Sequence, residues 1–311
     1  MNWKDFREWA NNKYSKSWAR DVFYYAKKYH GMLIGNFKEL ESFSKSKRNN
    51  VLKAVIALSK YLGTYSEFKA KMANYGVKWQ NQNSFESFIR ILETKDGTLD
   101  WVQAATKVSD QSYAAFIEFV MISGIRASEA INSFNTIIRL HKAGRLGDYY
   151  NTELQSLEHF RFQDKFIRGT KNVFFSFIPE TFVEQVTCCD LVSYSGLMKR
   201  LRKHGLKVRL NELRDYFATF MVHNGLIREE VDLLQGRIGQ SIFMRHYFSP
   251  DLESMRDKVL RAIQKMTERA GLTLLMHACA KVTARAKTTP RCLNFPACMH
   301  ACDVGVQKFN L

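Results

Sequence analysis

The first 178 residues of this 311-residue chain contain no proline; the four prolines are Pro179, Pro250, Pro290 and Pro296. Proline removes a backbone donor and clashes with the preceding helical turn, so its absence leaves long helices free to form. Apolar periodicity places them. Over 49–62, Val51, Val55, Leu58 and Leu62 recur at helical spacing as a buried stripe, and 18–29 reads as a second amphipathic helix. A helix whose apolar face is Tyr113, Phe116, Ile117, Val120 and Met121 ends at Ser123-Gly124. Further helices are expected over 195–204 and 211–223, closed by Gly205 and Gly225. A last one is expected over 250–269, with Ser249 as N-cap and Pro250 as first residue. Between Leu157 and Ile178 the period changes. The segments HFRF, FIR and VFFSFI are short, rich in aromatic and β-branched residues, and separated by turns at Gln163-Asp164-Lys165 and Gly169-Thr170-Lys171-Asn172. The expected fold class is mainly α with a small antiparallel sheet (α+β), with Lys171 at the tip of the last hairpin.

Two domains suit this length. The polar run Gln80 to Ser84 and then Lys95-Asp96-Gly97 mark the connection. The expected division is a helical domain over 1–95, a second domain over 96–269 and a tail over 270–311.

Charge narrows the partner. Lys and Arg number 47 against 30 Asp and Glu, a net +17, and such an excess suits a polyanion whose phosphates exchange condensed counterions for side chains. The basic residues cluster. Lys45, Lys47, Arg48 and Lys53 interleave with Ser44, Asn49, Asn50 and Tyr65, while Lys199, Arg200, Arg202, Lys203, Lys207 and Arg209 form the densest basic stretch. The plain rival for both is a solvated helical face. No stretch is apolar enough to span a bilayer, and the opening MNWKDFREWANNK lacks a signal-peptide core, so a cytoplasmic protein with no membrane partner is expected. Six cysteines in a chain this long do not make a disulfide scaffold. Cys279, Cys292, Cys298 and Cys302, with His277 and His300, fit no paired-ligand spacing, so neither metal nor cofactor is expected.

Arg126 in SGIRASEA, Arg214 in NELRDYFATFM and Arg237 in LLQGRIG are isolated arginines flanked by apolar residues, and Tyr247 follows Arg237 by ten positions. A guanidinium fork pairs with two phosphate oxygens and stays charged. Cutting a phosphodiester without metal needs a nucleophile, donors for the non-bridging oxygens and an acid for the leaving hydroxyl. Each residue alone has a structural rival. Arg126 or Arg214 could pair with Glu129 in the interior, Lys171 could be a turn residue, and Tyr247, one of 13 tyrosines, could be packed in a core.

Taken in order, Gly124-Ile125-Arg126-Ala127-Ser128-Glu129, hairpin Lys171, Arg214-Asp215-Tyr216-Phe217-Ala218-Thr219, Leu233-Leu234-Gln235-Gly236-Arg237 and Tyr247 resemble the catalytic domain of tyrosine recombinases (phage integrases) over about 105–269. The details are most similar to integrases of archaeal viruses and plasmids. The resemblance implies a site-specific recombinase that cuts and rejoins DNA through a 3′-phosphotyrosine. In it Tyr247 is the nucleophile, Arg126 and Arg214 clamp the scissile phosphate, Arg237 donates to a phosphate oxygen, and Lys171 protonates the leaving 5′-oxygen, with Arg168 the weaker candidate for that task. Glu129 orients the site from behind. Asn211 departs from the pattern, standing where histidine or lysine is common; it can donate a hydrogen bond but cannot carry charge. His246 is given no chemical role.

The resemblance further implies that 1–95 is a core-binding domain closing a C-shaped clamp around double-stranded DNA. It implies attachment sites as targets and a homotetramer on DNA that can be a monomer in solution. A helix after the nucleophile, with Leu252, Met255, Val259, Leu260 and Ile263 in its stripe, would dock on a neighbouring protomer. Two alternatives use the same residues: a type IB topoisomerase-like activity, and a non-catalytic DNA-binding relative.

Overall fold

A computed structural model describes residues 1–78, 97–168, 171–238, 243 and 246–272. The chain divides into two compact units, Met1–Thr94 and Lys95–Leu311. The expected connection at Gln80–Asp96 and the cysteine-bearing tail lie outside the described residues.

The first unit holds α1 (Trp3–Lys13), α2 (Lys16–Tyr29), α3 (Lys45–Tyr61) and α4 (Tyr65–Asn74), with two 3-10 turns at His30–Ile34 and Lys38–Ser42. Asn2 caps α1 by accepting from the Lys4 amide at 3.1 Å. Small residues let α1, α2 and α3 approach closely: Ala10, Ala19, Ala26, Ala54 and Ala57 are buried around Phe6, Val22 and Leu58. A second cluster, with Phe37, Leu40, Val51, Leu52, Val55 and Phe68, seats the 3-10 turns and α4 on the other side of α3. Leu62 departs from the expected stripe. It lies one residue past α3 and is 39% exposed, because the chain has already turned toward Gly63.

The second unit is built around α6 (Gln111–Ser123), preceded by α5 (Gly97–Lys107) and followed by α7 (Ala127–Lys142). Asp110 caps α6 through the Tyr113 amide at 3.0 Å. All ten residues from Ala114 to Ser123 are buried, and a helix buried on every side belongs at the centre of its domain. Around it pack α8 (Glu180–Thr187), α9 (Tyr194–Lys203), α10 (Leu210–His223), α11 (Arg228–Leu234) and α12 (Leu252–Arg269). Gly205 and Gly225 lie past the ends of α9 and α10 at φ +72° and +95°, the backbone state that closes a helix without a Cβ penalty.

The sheet is small. Strands β1 (Tyr150–Asn151), β2 (Ser156–Leu157) and β5 (Ser176–Phe177) form an antiparallel set in the order β1-β2-β5, and β3 (Ile167–Arg168) pairs with β4 (Lys171–Asn172) as a separate hairpin. The registers are Tyr150↔Leu157, Ser156↔Phe177 and Arg168↔Lys171. The expected strand HFRF is instead a 3-10 turn, His159–Arg161, and Gln163–Phe166 is one helical turn. Tyr149, His159, Phe162 and Phe166 explain the change: their rings pack on one another at 4.7–6.0 Å between centroids, which an extended strand with alternating faces would forbid. His159 is fully buried, with Nδ1 2.6 Å from the Tyr149 hydroxyl and Nε2 3.0 Å from that of Ser176.

The last helix corrects two expectations. Asp251, not Ser249, is its N-cap, because the Asp251 carboxylate accepts from both the Glu253 and Ser254 amides, and the helix begins at Leu252. Its apolar face, Met255, Val259, Ala262, Ile263 and Met266, is buried within its own unit, while Leu252 is exposed. Burial of each larger side chain contributes roughly 1.5–3 kcal/mol. Leu260, the other residue of the expected stripe outside that face, is half-buried.

Candidate active site

The site begins where α6 ends. Gly124, at φ +62°, terminates the helix by donating its amide to the Val120 carbonyl at 3.2 Å. A Cβ there would fall 2.2 Å from the Phe217 ring of α10, so only glycine lets the chain turn so close to that helix. Two residues on, Arg126 becomes the N-cap of α7. Glu129, in the first turn, accepts the Arg126 amide at Oε2 (3.1 Å), satisfying an otherwise orphan donor. Its Oε1 accepts Arg126 Nη1 at 2.9 Å and Arg168 Nη2 at 3.3 Å. Glu129 is completely buried, whereas the side chains of Arg126 and Arg168 are 27% and 43% exposed. One interior carboxylate thus anchors two guanidiniums whose outer edges face solvent.

Arg214 is held differently. It lies on α10, is 7% exposed, and donates Nη1 to the Gly124 carbonyl (3.1 Å) and Nη2 to the Gln235 carbonyl (2.8 Å). Fully buried Gln235 returns a bond from Nε2 to the Arg214 carbonyl at 2.9 Å. Burial, then the positive fields of Arg126 and Arg237, bring the Arg214 pKa down to about 10, partly offset by Glu129 and Asp215. Arg214 still carries its charge at neutral pH, but on carbonyls rather than on a carboxylate. Three guanidiniums held near one another in this way make an arrangement that an incoming anion relieves.

The end of α11 closes the cluster. Arg237 donates its amide to the Asp232 carbonyl (2.7 Å), and its guanidinium lies 3.8 Å from the Asp232 carboxylate, 47% exposed. Gly236, at φ +64°, rests against the hairpin, where an added Cβ would fall 1.7 Å from the Asn172 carbonyl oxygen. That same carbonyl lies 3.5 Å from Arg126 Nη1, and Asn172 Oδ1 accepts the Arg168 amide at 2.9 Å. Lys171 is described through its backbone, which pairs with Arg168.

Arg126, Arg214, Arg237 and Glu129 are thus brought together, joined by Arg168. Asn211 is exposed on the first turn of α10, where it lines a cleft of about 200 Å³ with Ala127, Tyr194, Arg209 and Glu212. It does not share the buried position of Arg214. Tyr247 is 73% exposed, which removes the core-tyrosine rival; its amide donates to the Phe243 carbonyl at 2.9 Å. Among the described residues it shares no hydrogen bond with the arginine cluster. Its ring lies 6.4 Å from that of exposed His246.

The basic stretch divides by environment. Arg200 pairs with Asp110 at 2.6 Å and lies over the Tyr113 ring, and Arg209 bonds Glu212 at 2.6 Å and the Gly97 carbonyl at 3.1 Å, so both are tied into the fold. Lys199, Arg202, Lys203 and Lys207 are exposed. In the first unit, Lys53 lines an open groove of about 720 Å³ with Tyr14, Trp18, Asn50, Lys60 and Tyr65. Lys47 lies 3.7 Å above the Phe43 ring, Arg48 reaches the Lys78 carbonyl at 3.4 Å, and Lys45 is partly buried.

Gln235, Gly236 and Asn172 are the site residues that sequence reasoning passed over. Gly236 had a signal, as a glycine directly before a site arginine; Gln235 and Asn172 had none, since each acts through its backbone carbonyl and a side-chain amide whose partners lie far off or are set by the hairpin register. Among the described residues no group of three or more His, Cys, Asp or Glu is placed to hold a metal, and no helix is long and apolar enough to cross a membrane.

A comparison with curated proteins found no match. A family model described as archaeal phage integrase matches residues 92–265, which takes in the arginine cluster, the hairpin and Tyr247, and more than half of the chain. The chain belongs to the archaeal phage integrase family, a family of recombinases whose partner is DNA.

Proposed function

We propose that this integrase is a site-specific tyrosine recombinase that cuts and rejoins double-stranded DNA through a 3′-phosphotyrosine on Tyr247, with no metal or ATP. The observation that carries the reading is Arg214, buried and charged on two carbonyls, with Arg126 and Arg237 in its field.

Arg126 and Arg214 take the non-bridging oxygens of the scissile phosphate, and Arg237 adds a third donor. Glu129 holds Arg126 in place. As the Tyr247 oxygen bonds to phosphorus, the bond to the 5′-oxygen breaks and that oxygen takes a proton from Lys171. Tyrosine is by itself a weak nucleophile, and the arginines take up the charge that develops on the phosphate as it attacks. Asn211 can donate to a phosphate oxygen but cannot accept the phenol proton as a base would, so that proton goes to water or to the phosphate. Because the phosphotyrosine keeps the phosphodiester energy, rejoining is the same reaction run backwards.

In this reading the first unit, through Lys45, Lys47, Arg48 and Lys53, binds the core site, and the exposed basic residues 199–209 grip DNA near the cut. Four copies assemble on paired attachment sites in the host cytoplasm. Asn211 is the one residue that favours a non-catalytic DNA-binding relative. A supercoiled plasmid carrying two copies of the attachment sequence of the encoding element tests the choice. Deletion or inversion products with one fixed junction support the recombinase, relaxation without junctions supports the topoisomerase-like reading, and DNA binding alone supports the non-catalytic one.

A further inference from the structure

The hairpin β3–β4 has only two residue pairs, too few to hold its own place, since even a free-standing longer hairpin is marginal in water. Its position must come from ties to the rest of the unit. One end is tied at Asn172, whose carbonyl meets Gly236 and Arg126. The other is tied by Arg168. The Arg168 guanidinium reaches back to the start of α7, where Nη2 lies 3.3 Å from Glu129 Oε1 and 3.4 Å from Ser128 Oγ. Its amide is fixed by Asn172 Oδ1 at 2.9 Å, and its register partner is Lys171.

We propose that Arg168 is a positioning residue: by bridging the hairpin to Glu129 and Ser128, it sets where its cross-strand partner Lys171 stands. The proposal rests on the reading of Lys171 as the acid. Glu129 is what makes the bridge more than a surface ion pair. An exposed pair contributes little, but this carboxylate is completely buried and is shared with Arg126. The clamp arginine and the acid-bearing hairpin are therefore referenced to one fixed anchor. Arg168 touches neither leaving group nor nucleophile in this scheme and acts only through Lys171.

A leaving-group substitution isolates that task. In the normal cleavage the Tyr247 oxygen bonds to phosphorus, the P–O5′ bond breaks, and the 5′-oxygen departs with a proton from Lys171. When sulfur replaces the 5′-bridging oxygen, the P–S bond breaks and a thiolate leaves without needing a proton, because a thiol is far more acidic than an alcohol, with a pKa of about 8.5. The full chain, Arg168→Ala, Arg168→Gln and Lys171→Ala would be compared in single-turnover cleavage of nicked attachment-site duplexes carrying oxygen or sulfur at that position.

The expected result is a loss of about 100-fold for Arg168→Ala on the oxygen duplex, the usual consequence of misplacing a catalytic group by about 1 Å. On the sulfur duplex the rate should return to within a few-fold of the parent, as for Lys171→Ala, with DNA affinity unchanged. Arg168→Gln, which keeps a donor at that site, should fall between. An equal loss on both duplexes, or no loss on the oxygen duplex, would overturn the proposal. Rescue of Lys171→Ala without rescue of Arg168→Ala overturns it alone, whereas failure to rescue Lys171→Ala overturns the acid assignment and the proposal with it.

Discussion

Replacing Gly236 with alanine puts a methyl group 1.7 Å from the carbonyl oxygen of Asn172. Carbon and carbonyl oxygen rest at about 3.3 Å or more, so the end of α11 and the hairpin must part by about 1.6 Å. Both neighbours are backbone, so no flexible side chain can swing away. The residue also sits at φ +64°, which costs a non-glycine residue roughly 1–2 kcal/mol. Separating the hairpin from Arg237 and Arg126 by that distance should slow cleavage by about 100-fold or more, while DNA affinity, which depends on many phosphate contacts, changes little. Gly205→Ala supplies the control, because Gly205 has φ +72° but nothing within 4 Å of an added Cβ. It isolates the backbone cost from the displacement. Single-turnover cleavage, DNA binding by fluorescence anisotropy and thermal unfolding would be measured for both variants. If Gly236→Ala cleaves within about threefold of Gly205→Ala, the hairpin and α11 move independently and the geometric reasoning is wrong.

Three further outcomes follow from the interior. Glu118 is buried on α6 with Oε2 unpartnered among the described residues, and burial pushes its carboxyl up to about 8. The folded state then binds its proton more tightly than the unfolded state, so this contribution is complete below about pH 4.5 and is lost as pH rises through 8. Relative to the parent, Glu118→Gln should gain stability as pH rises from 5 to 9 in denaturant titrations; parallel profiles would contradict this. His159 behaves oppositely. Burial holds its pKa down to about 3, so the unfolded chain takes up a proton that the folded one refuses, and stability falls as pH drops below about 6.5, by up to ~1 kcal/mol per pH unit. His159→Asn, though less stable overall, should show a flatter profile between pH 6 and 4. Arg214→Lys keeps the charge but cannot hold the Gly124 and Gln235 carbonyls together, so unfolding should ease by ~1–3 kcal/mol for each acceptor left unpaired and cleavage should fall at least 100-fold. A variant that cuts at the parental rate would remove Arg214 from the phosphate clamp.

What could be read from the sequence was what local chemistry decides. Gly124 announced a helix end, and Gly205 and Gly225 two more, because positive φ at a helix terminus is a property of the residue itself. Arg126, Arg214 and Arg237 stood out as charges in apolar surroundings. What stayed hidden depends on distant partners. The acid that engages Arg200 is Asp110, ninety positions earlier, so a run of basic residues could not be sorted into tied and free. HFRF reads as a strand by composition, but the cluster with Tyr149 and Phe166 makes a tight turn the better packing. Ser249-Pro250 fits a helix start, yet it is Asp251, two residues on, whose Oδ1 accepts both the Glu253 and Ser254 amides. Gln235 and Asn172 contribute backbone carbonyls and side-chain amides to partners that only the fold brings near.

The most direct test of the central claim is covalent trapping at Tyr247. The full chain and Tyr247→Phe would be incubated with nicked attachment-site duplexes, resolved under denaturing conditions, and any protein–DNA adduct digested and sequenced by mass spectrometry. The account predicts an adduct in the parent whose phosphate sits on Tyr247, and none in the variant despite equal DNA binding. An adduct that persists in Tyr247→Phe, or one that maps to another residue, would contradict it.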